Sequence, residues 1–153
     1  MQLLSLDWKL ITDQVMGGVS AGLVAVSGSH DGHPVHCLTG TVSLDNNGGF
    51  VQMAADLAPP PSTARGIRLT VRGNGEDYNI HLRTNALDRP WQSFRTSFKA
   101  SPEWTTLEFP FAGFEPHRTT ARLEPGGIRR IGIVAIGREF EAEVCVASVA
   151  WTD

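Results

Sequence analysis

The sequence predicts an all-β protein, a two-sheet antiparallel β-sandwich of the jelly-roll type. Three observations lead there. Short apolar–polar alternating runs recur from residue 21 to residue 151, with turn residues between them. No stretch sustains a helical period. Two segments near the start, Asp13-Gln14-Val15-Met16-Gly17-Gly18-Val19-Ser20 and Ser43-Leu44-Asp45-Asn46-Asn47-Gly48-Gly49-Phe50, set paired glycines behind polar groups and then return to alternation. Paired glycines in a strand-like pattern mark a bulge, a tight turn or a close backbone approach, as at the corners of a sandwich.

Ala21 to Ser27 reads as a strand leaving the first glycine corner, and Val35 to Leu44 as a second, bent at Gly40. Between them Asp31-Gly32-His33-Pro34 reads as a hairpin tip. Phe50 to Ala55 follows the second corner. Pro59, Pro60 and Pro61 cannot donate ladder hydrogen bonds, so residues 56–64 read as a surface crossover. Gly66 to Arg72 puts Ile67, Leu69 and Val71 on one face and Arg68, Thr70 and Arg72 on the other. Gly73-Asn74-Gly75 suits a type I′ hairpin turn into a return strand, Tyr78 to Arg83, with Tyr78, Ile80 and Leu82 facing in. Trp91 to Lys99 and Trp104 to Phe111 give two more strands, and Phe94, Thr96 and Phe98 share one face of the first. Ile128 to Ile136 and Phe140 to Trp151 complete the set. Residues 131–136 are apolar on both parities, as in a strand buried on both faces. Thr119 to Leu123 is the one stretch with the makings of a helical turn.

At 153 residues the chain suits a single jelly-roll domain, residues 1–153. A net charge of -3 argues against general affinity for nucleic acid. No apolar run approaches the roughly 18 residues of a membrane span. The first residues carry no basic region and meet Asp7 early, so a soluble cytoplasmic protein is expected. Cys37 and Cys145 sit in apolar alternating runs without partners at metal-ligand spacing. Buried reduced thiols are the expectation for them, with a long-range disulfide as the alternative.

The two glycine corners also carry a resemblance. With an Asp-x-Val-Met-Gly-Gly-x-Ser segment at Asp13 to Ser20 and a Gly-x-Val-Ser-Leu-x-x-Asn-Gly-Gly-Phe segment at Gly40 to Phe50, the chain resembles the complex I intermediate-associated protein 30 family, in its short bacterial form. A Gly-x-x-Leu-x-x-x-Gly-x-Gly-x-x-Tyr segment at Gly66 to Tyr78 and a closing Phe-x-x-Glu-Val strand at Phe140 extend the likeness almost end to end. The resemblance implies a galactose-binding-like jelly roll and a non-catalytic assembly or binding module with a protein partner. In the mitochondrial members it implies a respiratory-complex assembly intermediate as that partner; the long N-terminal extension of a mitochondrial precursor is not seen here. Asn74 stands where the family more usually has Asp.

No catalytic site, metal or cofactor is expected. His30, His33 and His36 invite a metal reading, but His33 and His36 point to opposite faces of an extended segment. Gly18-Val19-Ser20-Ala21-Gly22 matches Gly-x-Ser-x-Gly in letters, but no helical period follows it, so it is no nucleophile elbow, and there is no phosphate loop or dinucleotide fingerprint. Asp13 reads as a carboxylate accepting hydrogen bonds from turn backbone, although paired with His81 it would make a small enzyme conceivable. Between Arg65 and Lys99, seven basic residues face three acidic ones, a local +4 in a chain of -3. If the strands of this region are sheet neighbours, Arg68, Arg72, Asn79, His81, Arg83 and Arg95 share one face with Trp91 at its rim. Such a face suits a sugar, an anion or an acidic protein surface, so a carbohydrate-binding jelly roll is the alternative function.

Asp13, Asn47 and the glycine pairs Gly17–Gly18 and Gly48–Gly49 are expected to meet at one edge of the sandwich and to serve architecture, with Met16, Ser20 and Phe50 as the other structural residues of the motif. Loss of a buried hydrogen bond from Asp13 or Asn47 would then cost about 1–3 kcal/mol. Arg83→Ala, on the proposed open face, should cost little.

Overall fold

The alternating runs sort themselves into two facing sheets in a computed structural model that describes residues 3–153, apart from the Asn47 side chain. The strands are β1 (Lys9–Thr12), β2 (Ala21–His30), β3 (His33–Val42), β4 (Phe50–Asp56), β5 (Gly66–Gly73), β6 (Asp77–Thr84), β7 (Ser93–Lys99), β8 (Thr105–Pro110), β9 (Glu115–His117), β10 (Ile128–Ile136) and β11 (Phe140–Thr152). One sheet has the order β1-β4-β10-β6-β7-β9 and the other β2-β3-β11-β5-β8. Every strand pairing is antiparallel. The protein is therefore an all-β, two-sheet antiparallel sandwich.

The inward parity of each strand builds the core between the sheets. Leu38, Ile67, Leu69, Val71, Val144 and Val149 come from the five-stranded sheet. Val51, Met53, Tyr78, Ile80, Leu82, Phe94, Ile131 and Ile133 come from the six-stranded one. β10 lies between β4 and β6, and its outward-parity Val134 is buried as well as its core face. The hairpin between β2 and β3 turns at Asp31 (φ 49°) and Gly32 (φ 78°), the left-handed pair that a type I′ turn requires.

Four features depart from the reading of the sequence. β1 and β9 were not anticipated. Thr119 to Leu123 forms no helical turn, and the short 3-10 turn in that region falls at Pro125–Gly127. Gly73-Asn74-Gly75 does not close a hairpin: β5 pairs with β11 and β8, whereas β6 pairs with β10 and β7, so the turn carries the chain from one sheet to the other. Asn74 secures that crossing. Its side-chain carbonyl accepts from the Tyr78 hydroxyl at 2.6 Å while its amide donates to the Glu141 carbonyl at 2.9 Å, a donation that an ionised Asp could not make. Lastly, Cys37 and Cys145 are directly opposite on β3 and β11 and form a disulfide in place of the expected free thiols. It links positions 108 residues apart.

The β1–β2 and β3–β4 connections meet at Asp13. This residue is fully buried. Its carboxylate accepts from the backbone N–H groups of Ser20 (3.0 Å), Gly49 (2.5 Å) and Phe50 (3.3 Å) and from the Ser20 hydroxyl (2.6 Å). The Ser20 hydroxyl oxygen in turn accepts from the Ser43 N–H at 2.8 Å. Two glycines make room for the carboxylate. A Cβ on Gly18 would lie 2.4 Å from the Asp13 Cγ, and one on Gly48 would lie 2.3 Å from Oδ2. Met16 projects outward from the same corner, 63% exposed. The cap expected of Asn47 lies outside the described residues.

Burial alone would raise the Asp13 pKa, but the bonds from Ser20, Gly49 and Phe50 outweigh it and hold the group below its ordinary value of 3.8. A carboxylate lowered in this way contributes stability that is full above its unfolded value and is lost as pH falls through the folded one. Asp13→Ala should therefore cost about 3 kcal/mol or more, since several buried donors lose their partner. Gly48→Ala should destabilise markedly for lack of space. Urea unfolding at neutral pH would measure both, and repeating it below about pH 4 should narrow the gap between wild type and Asp13→Ala.

Candidate functional site

The polar residues between Arg65 and Lys99 divide between two surfaces. With Tyr78, Ile80 and Leu82 in the core, β6 turns Asn79, His81 and Arg83 to the outer face of the six-stranded sheet. Arg95 on β7 stands opposite His81 on that face. Arg68 and Arg72 belong to β5 and lie on the outer face of the five-stranded sheet, on the other side of the molecule. The single face expected of all six residues is thus corrected to two, because the turn taken for a hairpin is a crossing between sheets. Arg68 pairs with Glu108, its cross-strand neighbour on β8. Arg72 lies 5.5 Å from the Trp104 ring, which also stacks on His30 at 4.4 Å.

Strand order assembles the remaining face. Gly132 of β10 sits between Ala54 of β4 and His81 of β6, so a row of small residues leads from the β4 side up to the imidazole. Gln52 reaches across this row: its side-chain carbonyl oxygen lies 2.4 Å from where a Gly132 Cβ would be. Beyond Arg95, the row ends at Glu115, with Ser93 and His117 paired beside it. Sequence reasoning missed Gln52, Gly132, Ser93, Glu115 and His117. Their own strands alternate correctly, but which strands lie side by side is not a local property.

Burial is the main reason that the His81 pKa is pushed down to about 3, with the positive charges of Arg95 and His117 adding to it. Arg95 is held by a bond from its Nε to the Ser93 hydroxyl at 2.7 Å, and burial and Arg118 lower its pKa. Arg83 donates to the backbone carbonyls of Arg89, Pro90 and Gln92. It is a staple for the loop that carries Trp91, so the expectation that it is a free surface group is corrected. Trp91 is 55% exposed. Among the described residues neither Arg83 nor Arg95 is paired with a carboxylate, although Glu115 stands in register with Arg95.

The structure does not bring Asp13 and His81 together. Asp13 follows β1, which β4 and β10 separate from β6, a span of roughly 14 Å at ~4.8 Å per strand. The Asp13 carboxylate is also consumed by corner hydrogen bonds. His33 and His36 line a cavity of about 290 Å³ with Leu4, Leu6 and Trp8, while His30, opposite His33 in the β2–β3 register, stacks on Trp104. Among the described residues no group of three His, Cys, Asp or Glu side chains is arranged to hold a metal ion.

Comparison with known proteins bears on what this face belongs to. The family model for complex I intermediate-associated protein 30 (CIA30) matches residues 3–144. No curated protein matches the sequence. Among solved structures, the fold is similar to a family 11 carbohydrate-binding module from Clostridium thermocellum in complex with a β-1,3-1,4-mixed-linked tetrasaccharide. The TM-score is 0.77 at 13% identity, over 94% of this chain and 87% of that one. A family 11 module of a cellulosomal cellulase from the same organism also gives 0.77 at 13% identity, over 98% and 92%. A family 30 carbohydrate-binding module of another Clostridium thermocellum cellulosomal cellulase gives 0.64 at 13% identity, over 86% and 82%. At such identities the likeness is one of fold.

His81 supplies the test of this geometry. Its folded pKa lies below the unfolded value of 6.5, so its contribution to stability is full above pH 6.5 and is lost as pH falls towards 3. NMR titration should find the His81 ring neutral down to about pH 3. His81→Gln should flatten the fall in stability between those limits, and an unchanged slope would mean that the ring is solvated.

Proposed function

The chain belongs to the complex I intermediate-associated protein 30 family, and from that premise we propose that it is a non-catalytic, single-domain binding module for a protein partner. The outer face of the six-stranded sheet is the docking surface. One observation carries this reading: Arg83 and Arg95 are partly desolvated there and lack a carboxylate partner. An acidic side chain of a partner would complete the face, because an arginine fork matches a carboxylate and is strengthened by a drier setting. The family's name favours an assembly intermediate of a respiratory complex as that partner. No helix among the described residues is long and apolar enough to cross a membrane.

A second reading has its own support. Solved structures of similar fold include carbohydrate-binding modules, and exposed Trp91 stands in the loop that Arg83 pins to this face. An exposed indole beside hydrogen-bonding side chains suits a sugar ring. Location also enters here. The Cys37–Cys145 disulfide favours an oxidising compartment and weighs against the expected cytoplasm.

The two readings separate on two variants. Affinity capture from the native host should recover a partner with wild type, and Arg95→Glu should weaken it roughly tenfold or more. A glycan array should stay blank. Glycan binding abolished by Trp91→Ala, with capture unaffected by Arg95→Glu, would transfer the assignment to carbohydrate.

A further inference from the structure

A sandwich of two open sheets has four edge strands, and each edge presents unpaired backbone N–H and C=O groups to any extended chain. Three of the four are blunted. β1 has four residues and carries Lys9; β9 has three and carries Glu115 and Pro116; β8 carries Glu108 and ends at Pro110. β2 lacks these devices from Ala21 to Val26, and its one irregularity falls beyond, between Val26 and Ser29. It runs ten residues, and the sequence from Val19 to Ser29 contains no charge and no proline. Leu23 and Val26 on it are 59% and 61% exposed.

The exposed apolar surface is gathered around this edge. Nine large hydrophobic side chains are exposed among the described residues, and all but Leu3 and Trp91 fall between Leu10 and Leu44, on or beside β2. The Asp13 corner holds the Val15 and Met16 tip next to it in a fixed position. Leu23 and Val26 lie on opposite faces of the strand by parity, so exposed apolar side chains flank the open edge on both sides, as at an association surface.

We propose that β2 pairs with β2 of a second copy, antiparallel about a twofold axis, joining two five-stranded sheets into one of ten strands. Self-pairing is what an uncharged edge favours. A twofold axis sets each residue near its own equivalent, so a charge at the centre would meet its like, and none is present. Centred on Val24, which meets its own equivalent, the pairing sets Leu23 across from Ala25 and Val26 across from Gly22, so these two larger side chains each meet a small residue. The backbone groups left open by β3 on the other side of the strand gain their ladder partners. The face bearing Arg95 belongs to the other sheet and stays free, so this inference does not depend on the binding function proposed above.

Light scattering on the eluting full chain, across a concentration series, tests it. Wild type should show twice the chain mass and dissociate on dilution, and amides of residues 21–27 should exchange more slowly in the dimer. Leu23→Lys, at an exposed position and so compatible with folding, should weaken the dimer roughly tenfold or more. Ser62→Lys, on the surface crossover, should leave it intact. Far-UV circular dichroism and the melting temperature would establish that each variant is folded. A chain that stays monomeric, whether the edge is bare or paired with an extended segment of another protein, overturns the proposal. So does a dimer that Leu23→Lys leaves unchanged.

Discussion

The Asp13 carboxylate is the constraint on which the rest of the sandwich leans. Its four hydrogen bonds join the connection that leaves the six-stranded sheet to the connection that re-enters it. Two layers held only by apolar contact could slide, because hydrophobic burial has no direction. A buried carboxylate with directed donors fixes their relative position. It also dictates sequence: the backbone must come so close at Gly18 and Gly48 that no side chain fits. The exposed Val15 and Met16 then ride on a rigid corner.

A second lock works at the same end of the strands, across β10 from the Asp13 corner. Tyr78 is buried, and its hydroxyl accepts from the Glu143 N–H at 2.9 Å while donating to Asn74. Burial pushes its pKa up to about 12, so it remains a neutral donor. The Glu76–Arg138 ion pair closes over the same crossing. Because this crossing sends β6 into the sheet opposite β5, the basic strands separate. One arginine-bearing face ends up internally satisfied through Glu108 and Trp104, and on the other Arg83 and Arg95 stand without a carboxylate, beside the Arg130–Asp56 pair.

Alternation and glycine spacing made the fold class and most strands legible. Ile128–Ile136 is the clearest case, since both ends are marked by a change in residue type. β1 and β9 were illegible because three or four residues carry too little pattern, and only their neighbours make them strands. The site was half legible. Asn79, His81, Arg83 and Arg95 could be grouped from parity, but the sheet to which β5 belongs depends on pairing with β11, some eighty residues later in the chain. Gly73-Asn74-Gly75 looks the same locally whether it closes a hairpin or crosses between layers. The disulfide is hidden for the same reason: Cys37 and Cys145 become neighbours only through the register of β3 with β11.

That central place of β11 bears on how the chain is made. In the five-stranded sheet β11 separates β3 from β5, yet it follows the other ten strands in chain order. During synthesis β2 and β3 can form their hairpin early, and β5 can meet β8, but the two pairs have nothing to join them until β11 leaves the ribosome. Until then the inner faces of both pairs are uncovered in part. Such a topology delays closure until β11 has been made and makes nascent chains a target for chaperones. A stalled or shortened product would expose the very strands that the finished sheet conceals.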